Sequence, residues 1–164
     1  MRQMQDYVKG DKSVVYLEDE EHVINLNDDF SIKVYGSPWT AIHGQPGKSF
    51  QIPRPELKDK WEKIPRDVDI LVTHGPPHGI RDENAGKVNA GCKDLERLVT
   101  ERLRPRIHVF GHIHEGYGWI NNGKTLFINA SIQASRIKAE GSSVNSPIVV
   151  DYYKDGRELQ INTQ

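Results

Sequence analysis

Residues 91–114 read GCKDLERLVTERLRPRIHVFGHIH. Apolar Cys92, Leu95, Leu98, Val99 and Leu103 recur at intervals of three and four, as one buried helix face requires, and Pro105 follows the end. The next residues, Arg106 to Phe110, have the pattern of a short strand and stop at Gly111. Upstream, "DVDILVTHGPP" carries the continuous apolar run Ile70, Leu71, Val72, two of the three β-branched, halted by Gly75, Pro76 and Pro77. Strand, helix and strand in that order predict a parallel crossover. His74 then lies at one strand's carboxyl end, and His112 and His114 lie beyond the next. Ligands of open α/β sheets bind at that edge, so three histidines there are candidate metal ligands. A His-x-His pair can equally be two polar residues of a turn.

The flanking segments predict β structure. "SVVYLEDE" (13–20) and "HVINLN" (22–27) read as strands, and Asp28-Asp29 turns the second into "FSIKVYGSP". Residues 44–55, rich in glycine and proline, are irregular, and "PELKDKWEKI" gives a short helix opened by Pro55 with Trp61 as its core anchor. Asn122-Gly123 and Asp155-Gly156 each predict a two-residue hairpin turn between strands. The expected fold class is α/β, a mixed β-sheet with few helices, in a single domain over residues 1–164.

With 164 residues and 36% apolar content the chain can support one core. Lysine and arginine number 22 against 23 acidic residues, a balance that disfavours bulk nucleic acid as a partner. The first twelve residues lack an apolar signal core, and no segment approaches the ~20 apolar residues of a membrane span, so a soluble, cytoplasmic protein without membrane contact is expected. Cys92 is the only cysteine; it reads as a small buried hydrophobe, and any metal must use nitrogen and oxygen donors. Of the other histidines, His108 reads as a core residue with a satisfied hydrogen bond, and His22 and His43 as surface residues. His78, in a glycine-flanked loop, is a candidate contact to an anionic substrate or a solvated loop residue.

"THGPPHGIRD" (73–82) and "VFGHIHEGYG" (109–118) resemble the calcineurin-like metallophosphoesterases, and most closely the metallophosphoesterase-domain-containing group, which is similar to class III cyclic-nucleotide phosphodiesterases. "VYGSPWT" (34–40), "GCKDLERLV" (91–99) and "FINAS" (127–131) agree with it, in the correct order. The resemblance implies a sandwich of two mixed sheets that holds two divalent or transition-metal ions of manganese, iron or zinc type and hydrolyses phosphate esters, diesters among them. His74 and His112 would ligate one ion and His114 the other. Two such ions about 3.5–4 Å apart acidify a bridging water and neutralise charge on the phosphoryl oxygens.

The family's Asp-x-His and Gly-Asn-His-Glu motifs do not occur here, and the one Gly-Asp, Gly10-Asp11, has no apolar strand before it and is not taken as the family's motif. The resemblance therefore implies the carboxyl-terminal half of the domain, beginning after the third motif. No catalytic residue is assigned, because the general-acid histidine and the bridging aspartate belong to those motifs. One ion held by His74, His112 and His114 with water is the alternative arrangement. Three functional readings follow: an enzyme half inactive alone, a non-catalytic protein binding phosphate, metal or a partner, and a plain α/β domain with structural histidines. Half of a two-sheet fold also leaves an apolar sheet face open for self-association or a complementing chain.

Overall fold

The computed structural model describes residues 13–42, 49–133, 144–157 and 159–163. His43, the 44–48 portion of the irregular segment and Gly10-Asp11 lie outside them. Residues 13–19 do not form the expected strand. Asp19 adopts a left-handed φ of 57°, and its carboxylate accepts hydrogen bonds from Ser37 Oγ, Trp39 Nε1 and Lys60 Nζ, which turns the chain out of extended geometry. β1 (Glu20–Asn27) starts only after that turn, and Asp28-Asp29 leads it into β2 (Phe30–Ser37) as an antiparallel hairpin.

β3 (Thr40–Ala41) and β4 (Gln51–Ile52) form a separate parallel pair, followed by a 3₁₀ turn at Arg54–Glu56 and helix α1 (Leu57–Glu62). β5 (Ile70–Thr73) and β6 (Ile107–Phe110) are adjacent and parallel, as the crossover requires. The crossover helix is α-helical only over α2 (Lys93–Arg97) and continues as π-helical turns over Leu98–Leu103. Thr100 Oγ1 donates to the Glu96 carbonyl, and Arg104 N–H closes on Val99 O, five residues back. Both loosen the ordinary four-residue ladder.

β7 (Gly118–Asn121) and β8 (Leu126–Asn129) pair antiparallel with Asn121 opposite Leu126, so the turn spans residues 122–125 and Asn122-Gly123 is not its two-residue centre, and β8 lies parallel to β6. The six-stranded sheet has the order β1-β2-β5-β6-β8-β7. β9 (Ile148–Asp151) and β10 (Gln160–Thr163) make a second small sheet, but their pairing starts at Asp151 and Gln160, so Asp155-Gly156 is not a two-residue turn. Tyr152 and Tyr153 are drawn off the ladder: the Tyr152 hydroxyl bonds Asp69, and the Tyr153 carbonyl accepts from Arg106.

Register places Tyr35, Leu71, His108 and Phe127 in one row across four strands, each at most 3% exposed. Leu57, Trp61, Leu95, Val99 and Leu103 from the helical side close over that row. Each such side chain contributes about 1.5–3 kcal/mol by leaving water, so this face carries most of the stability. The opposite face is covered only in part, where Ile148, Val150 and Ile161 pack on Ile107, Leu126 and Ile128. Val72 is 39% exposed there, so β5 is buried on one face and not on both, and Ile24 and Trp119 stay as open.

Candidate metal centre

The parallel strands end together. His74 N–H donates to Ser37 O, Gly111 N–H to His74 O, and Ala130 N–H to Phe110 O, so the ends of β2, β5, β6 and β8 form one edge. His74 Nε2 and His112 Nδ1 approach to 3.0 Å, the rings tilted with centroids 4.8 Å apart. His112 reaches this position through a left-handed φ of 70°, a conformation that a non-glycine residue keeps only when its surroundings enforce it. Burial pushes the His74 pKa below its ordinary value although its ring reaches solvent, a shift toward the neutral form that a metal ligand needs.

Two nitrogens on one tetrahedral ion at about 2.0–2.1 Å each stand a little over 3 Å apart. At 3.0 Å the two rings share a hydrogen bond, one as donor and one as acceptor, and their separation is near that of two positions in one ion's shell. Among the described residues no group of three or more His, Cys, Asp or Glu could complete such a shell. His114 starts a 3₁₀ turn (His114–Gly116), half-buried, and does not join the pair in one cluster. The structure thus does not gather His74, His112 and His114 around a single ion.

Residues that the sequence reading passed over hold this edge. Asn129, 0% exposed at the end of β8, donates through Nδ2 to the carbonyls of Ile113 (2.8 Å) and Arg81 (3.0 Å), clamping the turn between His112 and His114 to the preceding loop. Its Oδ1 accepts from the backbone and the hydroxyl of Ser131. A Cβ on Gly116 would collide with the Arg81 carbonyl, which makes glycine obligatory in this close approach. Asp82, 1% exposed, folds the loop by accepting from Gly79 N–H, Gly91 N–H and the Asn89 amide. A polar residue directly after the apolar run Leu126 to Ile128 was the available signal for Asn129.

His108 is fully buried, with Nε2 2.9 Å from Thr73 Oγ1. Thr73 Oγ1 donates to Gly75 O, so His108 donates through Nε2–H and its Nδ1 has no partner. Cys92 is buried and accepts from Trp61 Nε1, and His22 is exposed. His78 is half-buried, with its N–H on Cys92 O. It does not line the cavity of about 270 Å³ beside His112, whose walls include Trp39, Trp61, Pro76, Leu95 and Arg54.

A mixed sheet whose crossover strands deliver histidines to one edge is a metallophosphoesterase arrangement. A family model described as "Calcineurin-like phosphoesterase" matches residues 6–116, and the chain belongs to that family. Metallophosphoesterase domain-containing protein 1 of Homo sapiens and of Mus musculus is each 43% identical over 142 residues, 84% of this chain and 39% of that protein. UPF0046 protein T07D4.2 of Caenorhabditis elegans is 41% identical over 143 residues, 85% of this chain and 33% of that protein. The chain thus spans well under half the length of these relatives. A crystal structure at 16% identity and TM-score 0.56, covering 79% of this chain and 51% of that one, shares the fold. No helix among the described residues is long and apolar enough to cross a membrane.

Proposed function

We propose that this chain forms the histidine edge of a metal-dependent phosphoesterase site, with a phosphate ester as substrate. In this reading His74 and His112 hold one divalent or transition-metal ion and His114 faces a second. The 3.0 Å approach of His74 Nε2 to His112 Nδ1 carries it: a hydrogen bond between the rings accounts for the contact in the free chain, and the same approach sets ring nitrogens from two strand ends at a separation near that of two ligands on one ion. Bound metal would supply charge neutralisation for the phosphoryl oxygens. The chain's own part is orientation: burial shifts His74 toward its neutral form, and Asn129 fixes the turn that presents His112 and His114. His78 offers a second contact to the ester, and the location is cytoplasmic.

Without the Asp-x-His, Gly-Asp and Gly-Asn-His-Glu motifs the 164 residues offer no bridging carboxylate and no general acid. The chain alone therefore binds metal weakly and does not turn over. The lack of a third ligand among the described residues also favours a second reading, a non-catalytic protein that binds phosphate, metal or a partner chain. Manganese titration of the purified chain, followed by diester hydrolysis, tests the first. Expected are binding well below two ions per chain, a loss in His112→Ala exceeding the about tenfold cost of removing an outer-shell partner, and no hydrolysis. Stoichiometric binding of two ions, or turnover abolished by His112→Ala, would overturn the inactive half-site. Metal binding indifferent to both His74→Ala and His112→Ala would remove the metal centre itself.

A further inference from the structure

The amino ends of β6 and β8 form the edge opposite the histidines, where Leu126 N–H donates to Arg106 O. A cavity of about 420 Å³ opens there, within the range of about 300–1,000 Å³ usual for small-molecule sites. Three segments distant in sequence each bring one cation to its wall: Arg106 just before β6, Lys124 in the β7–β8 turn, and Arg157 between β9 and β10. No carboxylate among the described residues lines it.

The three cations differ in how they are held. Arg106 is half-buried, its guanidinium carbon 4.3 Å from the Tyr152 ring centroid, and it donates from Nη1 to the Tyr153 carbonyl (2.7 Å) and from Nη2 to the Arg157 carbonyl (2.8 Å). Those contacts fix the guanidinium but are all to neutral groups, so its charge is not offset and part of its donor fork is unused. Lys124 is exposed, and its ammonium has no ion pair among the described residues. Arg157 is paired with Asp155 through Nε and Nη2, which leaves Nη1. Three cations less one carboxylate give a net charge of plus two around the cavity. The whole chain has 22 cations against 23 anions, so this excess is local. Like charges gathered in this way disfavour the compact chain unless an anion offsets them.

We infer that this cavity is a second anion site, for a phosphate dianion that is free or carried on a small molecule. Arg106 is the fixed fork, which loses little freedom on binding, and Lys124 and Arg157 approach from the two turns. Gly123 and Gly156, at left-handed φ of 83° and 74° with open space where a Cβ would stand, keep the rim clear of side chains. Strand β6 separates this site from the histidine edge by roughly 15 Å at about 3.3 Å per residue, so the inference stands apart from the phosphoesterase reading.

Calorimetric titration of the full chain with inorganic phosphate at pH 7.5 tests it, with EDTA present to strip metal from the histidine edge and chloride at matched ionic strength as the blank. A Kd on the order of 1 mM is expected, the scale of a few charge-assisted hydrogen bonds at an open site. Lys124→Ala should weaken binding about three- to fivefold, as loss of one exposed ion pair does, and Asp155→Asn should tighten it about as much by removing the competing carboxylate. Both positions are exposed, so unfolding midpoints should stay near the parent's. The tightening is a response that a merely structural Asp155–Arg157 pair would not give. His112→Ala should leave the affinity unchanged. Glycerol 3-phosphate binding more tightly than phosphate would assign the site to a phosphorylated small molecule, and binding less tightly to free phosphate; either result upholds the dianion site. Heats no larger than the chloride blank, or an affinity unmoved by both Lys124→Ala and Asp155→Asn, would overturn it. So would loss of binding in His112→Ala, which would place the phosphate at the histidine edge.

Discussion

His108 is a buried imidazole that has one hydrogen bond and one bare nitrogen, and burial pushes its pKa from 6.5 down to about 3. Between those values the unfolded chain takes up a proton that the folded chain refuses. Stability is therefore full above about pH 6.5 and is lost as pH falls through that window. His74, lowered by burial, adds in the same direction. By pH 5 the His108 contribution alone should cost about 2 kcal/mol, before the carboxylates begin to titrate. Urea unfolding at pH 7.5 and pH 5 measures it, and His108→Leu should remove most of the difference, since Thr73 still donates to Gly75 O. An unchanged difference in that variant would assign the acid sensitivity elsewhere. The core role of His108 was legible because it sits inside an apolar run. The fixing of Trp39 was not, because Asp19 and Lys60 meet it across 20 and 21 positions and nothing local marks either one.

At the level of elements, the crossover was legible where side-chain spacing alone decides the outcome. Apolar residues at three and four along 92–103 demand a helix, and short apolar runs ending at glycine demand strands that stop, which brought His74 and His112 to one edge. Spacing does not distinguish α from π turns, since both bury the same stripe. Alternation across 13–20 suggested a strand just as well as "HVINLN" did, until the Asp19 carboxylate found three donors and bent the chain. The helix ends on Arg104 at φ 51°, ψ 51°, a left-handed cap that glycine adopts without a Cβ clash. Arg104→Gly removes a conformational cost of about 1–2 kcal/mol, offset by the greater freedom of glycine in the unfolded chain and by loss of the bond from Arg104 Nε to Thr100 O. The expected net effect is stabilisation of less than about 1 kcal/mol, seen as a higher urea midpoint at unchanged slope. Destabilisation beyond that amount would mean that the Nε bond, and not the cap geometry, governs this end.

For the whole molecule, the asymmetry of the sheet decides how the protein behaves in solution. One face is sealed by the helices, whereas on the other the β9–β10 hairpin covers only Ile107, Leu126, Ile128 and their neighbours. Ile24, Val72 and Trp119 remain 39–43% exposed, on strands spread across the sheet from β1 to β7. Apolar side chains left open on one sheet face favour association when nothing covers them. Relatives of which this chain spans 39% or 33% have additional chain that could supply a cover. For the 164 residues by themselves a second copy is the available cover. Sedimentation velocity should therefore show the weight-average coefficient rising with protein concentration, and Val72→Lys or Trp119→Lys should return it toward the monomer value. Both positions already reach water, so the substitutions should cost less than about 1 kcal/mol of stability, and unfolding midpoints near the parent's would confirm that the variants act on association alone. A single monomeric species at every concentration, unaffected by either lysine, would show that this face is not adhesive and that the sheet tolerates its exposure.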